Sequence, residues 1–276
     1  MAANELYEIF ALRYAERTNR TRAENFKFSD DHDTPMPIDF YVWVVRNDNR
    51  TIVVDTGFGR AEAKKRDRQL LQTPAQALER IGVVLPTVED VVITHLHYDH
   101  AGTMPEFSNA RFHVQSSEMA FATGPAMLDV GERWAFSADH VCDIVRLLYE
   151  DRVVFHDEDA DIAPGITLHR LPGHTNGLQV VRVPTRRGIV VLASDASHFY
   201  ENFAGRSPFP ICYSEEDTLA SYERLEQLAD SEDHVIPGHD PMVRALYPAP
   251  DSSLDGWVCR LDEQPERSLK SLGFER

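Results

Sequence analysis

Residues 93–103, ITHLHYDHAGT, place three histidines and an aspartate within six positions, directly after the β-branched run of VEDVVITH. Burying a polar group without a partner costs about 2 to 7 kcal/mol, so such a cluster at the end of a buried strand demands something that satisfies its members together. If DVVIT is a strand ending near Thr94, His95, His97, Asp99 and His100 fall in the loop and first helical turn beyond it. One short segment can then aim several side chains at a shared cavity. Neutral imidazoles and a carboxylate suit Zn²⁺, Mn²⁺ or Fe²⁺. The three cysteines, Cys142, Cys212 and Cys259, lie far apart with no C-x-x-C, which predicts neither a disulfide framework nor a thiolate site.

One segment cannot close two metal spheres, so further donors are expected in the same context. LHRLPGHTNG offers His174 after a strand and a Pro-Gly turn, GIVVLASDAS offers Asp195 at a strand's C-terminal end, and HVIPGHDP offers His239 after another strand and Pro-Gly turn. In all four segments an apolar strand and a turn precede a metal-competent side chain. The other histidines, His32, His113, His140, His156, His169 and His234, lack that context and receive no function.

Around these segments the chain reads as two strand-rich blocks with helix between and after them, and as a single unit over 1–276. FYVWVVRNDNRTIVVDTG (40–57) predicts a hairpin. Thr73 caps a helix with Pro74 at its first position and Gly82 at its stop; a partly apolar helical region follows from about 116 to 149. Strands return at RVVFH, GITLHRL, LQVVRV and GIVVLASD. SEEDTLASYERLEQLAD (214–230) opens on a capping box, and HVIPGHD supplies a last strand before a polar tail. The strand runs alternate only weakly, which fits sheets covered on both faces between outer helices.

The pattern His-x-His-x-Asp-His followed by Ala-Gly, with single His, Asp and His at later strand ends and VVDTG at 53–57, resembles the metallo-β-lactamase superfamily. The resemblance implies a four-layer αβ/βα sandwich with two metals at one edge. It places His95, His97 and His174 on the first metal, Asp99, His100 and His239 on the second, and the Asp195 carboxylate between both, with Asp55 orienting a histidine from behind. Two divalent ions, zinc above all, are the implied cofactors.

Within that superfamily, flavo-diiron oxidoreductases carry Glu where this chain has His97, and class B β-lactamases typically lack the bridging Asp. The formal charge of −17 disfavours nucleic-acid substrates and anionic membranes. HLHYDHAG, PGHTNG and DAS are similar to N-acyl homoserine lactone lactonases and related small-lactone hydrolases. The expected activity is therefore lactone opening by a metal-bridging hydroxide, with Asp99 passing a proton to the leaving oxygen. The alternatives are a thioesterase of the glyoxalase II type, another carboxylic-ester hydrolase, and a non-catalytic or redox member. A tyrosine is expected three positions beyond the bridging Asp; this chain has His198 there, and either His198 or Tyr200 is expected to contact the substrate carbonyl. Met119, Phe121, Met127 and Trp134 line an acyl pocket or, more commonly for such a stripe, belong to the core or a subunit interface. The 116–149 region offers a homodimer surface. No apolar run approaches a membrane span and the charged first twenty residues do not read as a signal peptide, so a soluble cytoplasmic protein is expected.

Overall fold

The strands of the computed structural model, which describes residues 5–27 and 33–272, sort into two sheets. In chain order they are β1 (Glu8–Arg17), β2 (Ile38–Asn47), β3 (Arg50–Val54), β4 (Gln69–Leu70), β5 (Asp90–Val92), β6 (Arg111–Gln115), β7 (Val153–His156), β8 (Ala160–Ala163), β9 (Ile166–Arg170), β10 (Gln179–Thr185), β11 (Gly188–Ser194), β12 (Val235–Pro237) and β13 (Val258–Arg260). The first sheet runs β13-β1-β2-β3-β5-β6-β7, with β4 paired to β1; the second runs β12-β11-β10-β9-β8. The helices are α1 (Arg60–Lys65), α2 (Pro74–Glu79), α3 (Ser116–Ala122), α4 (Val130–Arg133), α5 (Ala138–Tyr149), α6 (Tyr200–Ala204), α7 (Glu215–Leu228) and α8 (Met242–Leu246). His32 lies outside the described residues.

Alternation along β2 shows how the layers arise. Phe40, Val42 and Val44 pack under the helical layer with Leu78 and Ile144, while Tyr41, Trp43 and Val45 face the second sheet with Leu168, Val181 and Leu192. Successive strand side chains point to opposite faces, so a strand buried on both sides must be apolar at nearly every position. A third core, Val180, Val191 and Ala193 against Tyr222, Leu225 and Leu228, seats α7 on the outer face of the second sheet. Helix, sheet, sheet and helix therefore stack as the four-layer αβ/βα arrangement.

Local signals hold where they were strong. The Thr73 hydroxyl accepts from the Gln76 N–H with Pro74 behind it, Gly82 takes φ 77°, and Ser214 accepts from the Asp217 N–H to start α7. The 116–149 region is not one helix: Gly124-Pro125 and the turn before Ser137 break it into α3, α4 and α5. β1, β13 and the short β4 and β8 escape the sequence reading. In β1 the charges of Glu8, Arg13, Glu16 and Arg17 hide a ten-residue strand whose Arg13 is satisfied by Asp39 Oδ1 at 2.8 Å. β13 sits in the polar tail, held because the Leu261 N–H donates to the Ile9 carbonyl at 2.8 Å and Asp262 accepts from the Ile9 N–H. No helix among the described residues is long and apolar enough to cross a membrane.

What positions the site is direction. β3, β5 and β6 are parallel, as are β11 and β12, so the segments that follow β3, β5, β11 and β12 emerge at one edge. The turn after β9 arrives there too, the Gln179 N–H at the start of β10 donating to the Thr94 carbonyl.

Candidate metal centre

Each sequence-predicted donor stands just past a strand end, and the backbone there is unusual. Asp55 after β3 and Ser194 at the end of β11 have φ 62° and φ 47°, left-handed values that non-glycine residues rarely adopt. These bends turn the chain sharply out of the sheet. Gly238, before His239, is required by close approach: a Cβ there would lie 2.6 Å from Asp195 Oδ1 and 2.8 Å from the Ser194 carbonyl.

His95, His97, His174 and Asp195 offer ligand atoms all within 4.8 Å of one another, as do Asp99, His100 and His239, and as do Asp195, His198 and His239. The Asp195 carboxylate divides its oxygens between the groups. Oδ2 faces His95 Nε2 at 3.8 Å, His174 Nε2 at 3.2 Å and His198 Nε2 at 3.0 Å; Oδ1 faces His100 Nε2 at 3.3 Å and His239 Nε2 at 3.0 Å. Asp99 Oδ2 is 3.8 Å from His239 Nε2.

The other ring nitrogens are anchored from behind. His100 Nδ1 bonds Asp55 Oδ2 at 2.7 Å, His174 Nδ1 donates to the Ile211 carbonyl at 2.8 Å, and His239 Nδ1 donates to the Asp39 carbonyl at 2.9 Å. The Thr94 hydroxyl donates to Asp55 Oδ2 at 2.8 Å and so accepts from His95 Nδ1 at 3.1 Å. With Nδ1 carrying the proton, each Nε2 turns a lone pair into the cavity, the tautomer a metal needs. His97 differs, facing His174 Nε2 with its own Nδ1 at 2.9 Å.

These residues fit divalent metal ions. Among the described residues, His95 Nε2, His100 Nε2 and Asp195 Oδ1 are buried without a hydrogen-bond partner, an uncommon condition whose cost a bound cation removes. Burial, reinforced by the neighbouring imidazoles, pushes His95 and His97 well below the ordinary histidine range, which keeps them neutral. Burial works against an ionised Asp195, yet His198, His239 and His100 hold it well below the usual carboxylate range.

His198 and Tyr200 part company. The His198 ring stacks on Phe209 at 3.6 Å and 3° and lines the cavity, with burial lowering its pKa to about 3. Tyr200 packs instead in the core between the sheets with Val243 and Tyr247, and does not line the cavity. The sequence expectation for Tyr200 is thereby corrected: its backbone N–H donates to Asp240 Oδ2 at 3.0 Å, starting α6 with the ring turned inward. Tyr200→Phe is expected to leave kcat and KM unchanged within about twofold, since it removes an atom remote from the cavity; steady-state kinetics check this. Of the stripe, Phe121 is core, Met119 and Met127 pack against that core, and Trp134 is half-exposed at the site's entrance.

Several residues of the site went unnoticed in the sequence. Glu118 on α3 is fully buried; its Oε1 accepts from the Leu96 N–H at 2.9 Å, and its Oε2 accepts from Thr175 Oγ1 at 2.7 Å and the Gly177 N–H at 3.1 Å. It ties the His95–His100 loop to the His174 loop. Thr94 links Asp55, His95 and Ser194, and Asp39, gripped by Arg13 and Arg244, carries the carbonyl behind His239. A lone acid or threonine gives no pattern to detect.

The chain belongs to the metallo-β-lactamase superfamily, whose model matches residues 41–239. A probable metallo-hydrolase of Mycobacterium tuberculosis (strain ATCC 25618 / H37Rv) is 27% identical over 229 residues, 73% of this chain and 71% of the relative. The N-acyl homoserine lactonase AiiA of Bacillus thuringiensis subsp. kurstaki is 31% identical over 165 residues, 59% of this chain and 60% of that protein. Among solved structures, an N-acyl homoserine lactone hydrolase with its product N-hexanoyl-L-homoserine bound at the catalytic metal centre is similar with a TM-score of 0.71 and 21% identity, over 88% of this chain and 98% of that one.

Proposed function

We propose that the chain is a metal-dependent hydrolase of carboxylic ester bonds whose substrate is a lactone. The observation that carries the reading is the divided Asp195 carboxylate amid buried, unpartnered imidazole nitrogens. His95, His97 and His174 would hold one ion, Asp99, His100 and His239 the other, and Asp195 both; the nitrogen-and-oxygen donor set suits zinc. When bound, a pair of divalent ions supplies a water ionised near neutral pH and charge stabilisation for the attacked carbonyl and the departing oxygen.

The chain's own residues do the rest. Asp99 lines the cavity and, as a carboxylate, can carry a proton to the departing ring oxygen. His198, flat against Phe209 and 3.0 Å from Asp195 Oδ2, holds that carboxylate in place and presents its ring to the substrate carbonyl. Asp55 and Thr94 keep His100 and His95 in the ligating tautomer. The cavity directly over the donors is about 40 Å³, room for about one water, and Arg68 and Trp134 are shared between its lining and that of an adjoining groove. The lactonase relative and the product-bound lactone hydrolase support a lactone over other esters.

Chelation followed by dialysis is expected to abolish lactone hydrolysis, and about two equivalents of zinc per chain to restore it; full activity in metal-free protein would refute the reading. Acyl homoserine lactones, aliphatic and aromatic lactones, and a glutathione thioester, assayed side by side, rank the substrate classes, and a thioester ranking first would favour the glyoxalase II type. His198→Ala is expected to lower kcat/KM by about 10- to 100-fold, and unchanged turnover would remove its role.

A further inference from the structure

The cavity over the donors is lined by two arginines, Arg20 and Arg68, as well as by the Asp99 and Asp195 carboxylates that the metal ions would take up. Arg20 is 8% exposed, and its guanidinium is held by neutral acceptors: Nε donates to Asn25 Oδ1 at 2.7 Å and Nη2 to the Glu24 carbonyl, with Cζ 5.3 Å from the Phe209 ring that backs His198. Arg68 donates from Nε to the Tyr98 hydroxyl at 3.0 Å and from Nη1 to the Arg66 carbonyl at 2.6 Å. Among the described residues neither has a carboxylate at ion-pair distance, whereas their neighbours do: Arg17 pairs with Glu24, and Arg66 with Glu62. Both Arg20 and Arg68 line the cavity over the donors, and Arg68 also lines the adjoining groove.

A buried guanidinium without a counter-charge is costly and is retained where a ligand supplies one. Burial pushes Arg20 down to about 10, which leaves it charged at neutral pH. Asp99 and Asp195 are both proposed metal donors, so neither of these cavity carboxylates is left to neutralise the arginines once metal is bound. The chain as a whole is formally −17, and an anion approaching through such a field needs a local cationic funnel. Arg17, Lys65, Arg66 and Arg133 stand along the groove, the first three paired with Glu24 or Glu62, beside one acid, Asp67; its volume is about 890 Å³, and Met127, Val130, Trp134, Phe136 and Val141 make its apolar wall.

We propose that the substrate carries a carboxylate, bound by Arg20 and Arg68 beside the metal centre, and an apolar portion that lies along the groove. This rests on the hydrolase reading above and narrows its substrate class to esters and lactones that carry a carboxylate.

The test uses two esters of equal length, 4-nitrophenyl hexanoate and mono-4-nitrophenyl adipate, which differ by a terminal methyl against a carboxylate. Metal-loaded protein is expected to prefer the adipyl ester by about tenfold in kcat/KM, the size of one charged hydrogen-bonded contact. The preference should shrink as salt rises from about 0.05 to about 0.5 M, through KM. Arg20→Gln and Arg68→Gln should bring the ratio of the two specificities toward one, Arg68→Lys should keep part of it, and Arg224→Gln, on an exposed helix face, should leave it intact. Should a glutamine variant fail to fold, the salt dependence of the unaltered protein still decides. A second readout needs no turnover: metal-free protein is titrated with adipate and with adipamide while tryptophan fluorescence, which includes half-exposed Trp134, is followed. Adipate binding that the arginine variants lose, with neither ester hydrolysed, would sink the hydrolase reading and leave the anion site standing. Equal, salt-independent specificities together with no adipate binding would overturn the anion site.

Discussion

Asp195→Ala is expected to lower kcat by about a thousandfold, equivalent to about 4 kcal/mol of transition-state stabilisation, and to reduce bound metal below two per chain. The expectation follows from how the carboxylate is shared. One oxygen lies within 3.8 Å of His95, His174 and His198, the other within 3.3 Å of His100 and His239, so alanine removes a donor from both groups at once. It also removes the negative charge that raises the proton affinity of His100 and His239 against the effect of burial. Asp195→Asn separates shape from charge: the amide fills the same space without the charge, and a similar loss is expected. Elemental analysis and initial rates on folded protein decide; a variant with two metals and normal turnover would refute the shared-carboxylate reading.

The second large effect lies away from the cavity. Glu118→Ala leaves three buried donors, the Leu96 and Gly177 N–H groups and the Thr175 hydroxyl, without an acceptor. At about 1 to 3 kcal/mol for each stranded group, a loss of about 3 kcal/mol or more is expected. That corresponds to a fall in Tm of about 6–12 °C. Because the same donors fix both histidine loops, zinc affinity should fall by about 10- to 100-fold. Glu118→Gln carries a pH signature. Burial raises the Glu118 pKa above its ordinary 4.5 although its three donors oppose the shift. A raised acid in the folded state binds its proton more tightly than the unfolded chain does, so its contribution is fully present below pH 4.5 and is lost as pH rises through the raised value. Glutamine has no such proton, and its stability profile should be flatter across that window. Denaturant titrations between about pH 4 and 8 measure the difference; identical slopes would show that Glu118 is not a buried acid.

The legible parts of this protein are those written in adjacent residues. DVVITHLHYDH is legible because a strand, its end and four donors occupy one stretch, and the LPGH, ASD and IPGH segments repeat the logic. The hairpin at 40–57 and the caps at Thr73 and Ser214 are legible because turn and cap preferences are local. β1 was not, since charges at Arg13 and Glu16 resemble surface until Asp39, from the neighbouring strand, neutralises Arg13. Tyr200 misled for the opposite reason. Two positions beyond His198 it is near the site in sequence, but α6 begins there and turns the ring into the core between the sheets.

The sequence by itself determined the donor types, their strand-end context and the two-sided burial of the strands, because each depends on spacing within a few residues. Only the tertiary structure decided that Asp195 splits its oxygens between two histidine groups, that Glu118 ties two loops together, and that Arg20 and Arg68 have no carboxylate at ion-pair distance among the described residues. Most of those facts are contacts across long stretches of chain, as from Asp195 to His95 and His239 and from Glu118 to Leu96 and Gly177. Chain spacing does not encode such distances; the packing of two sheets face to face, with helices on their outer sides, over three buried cores does.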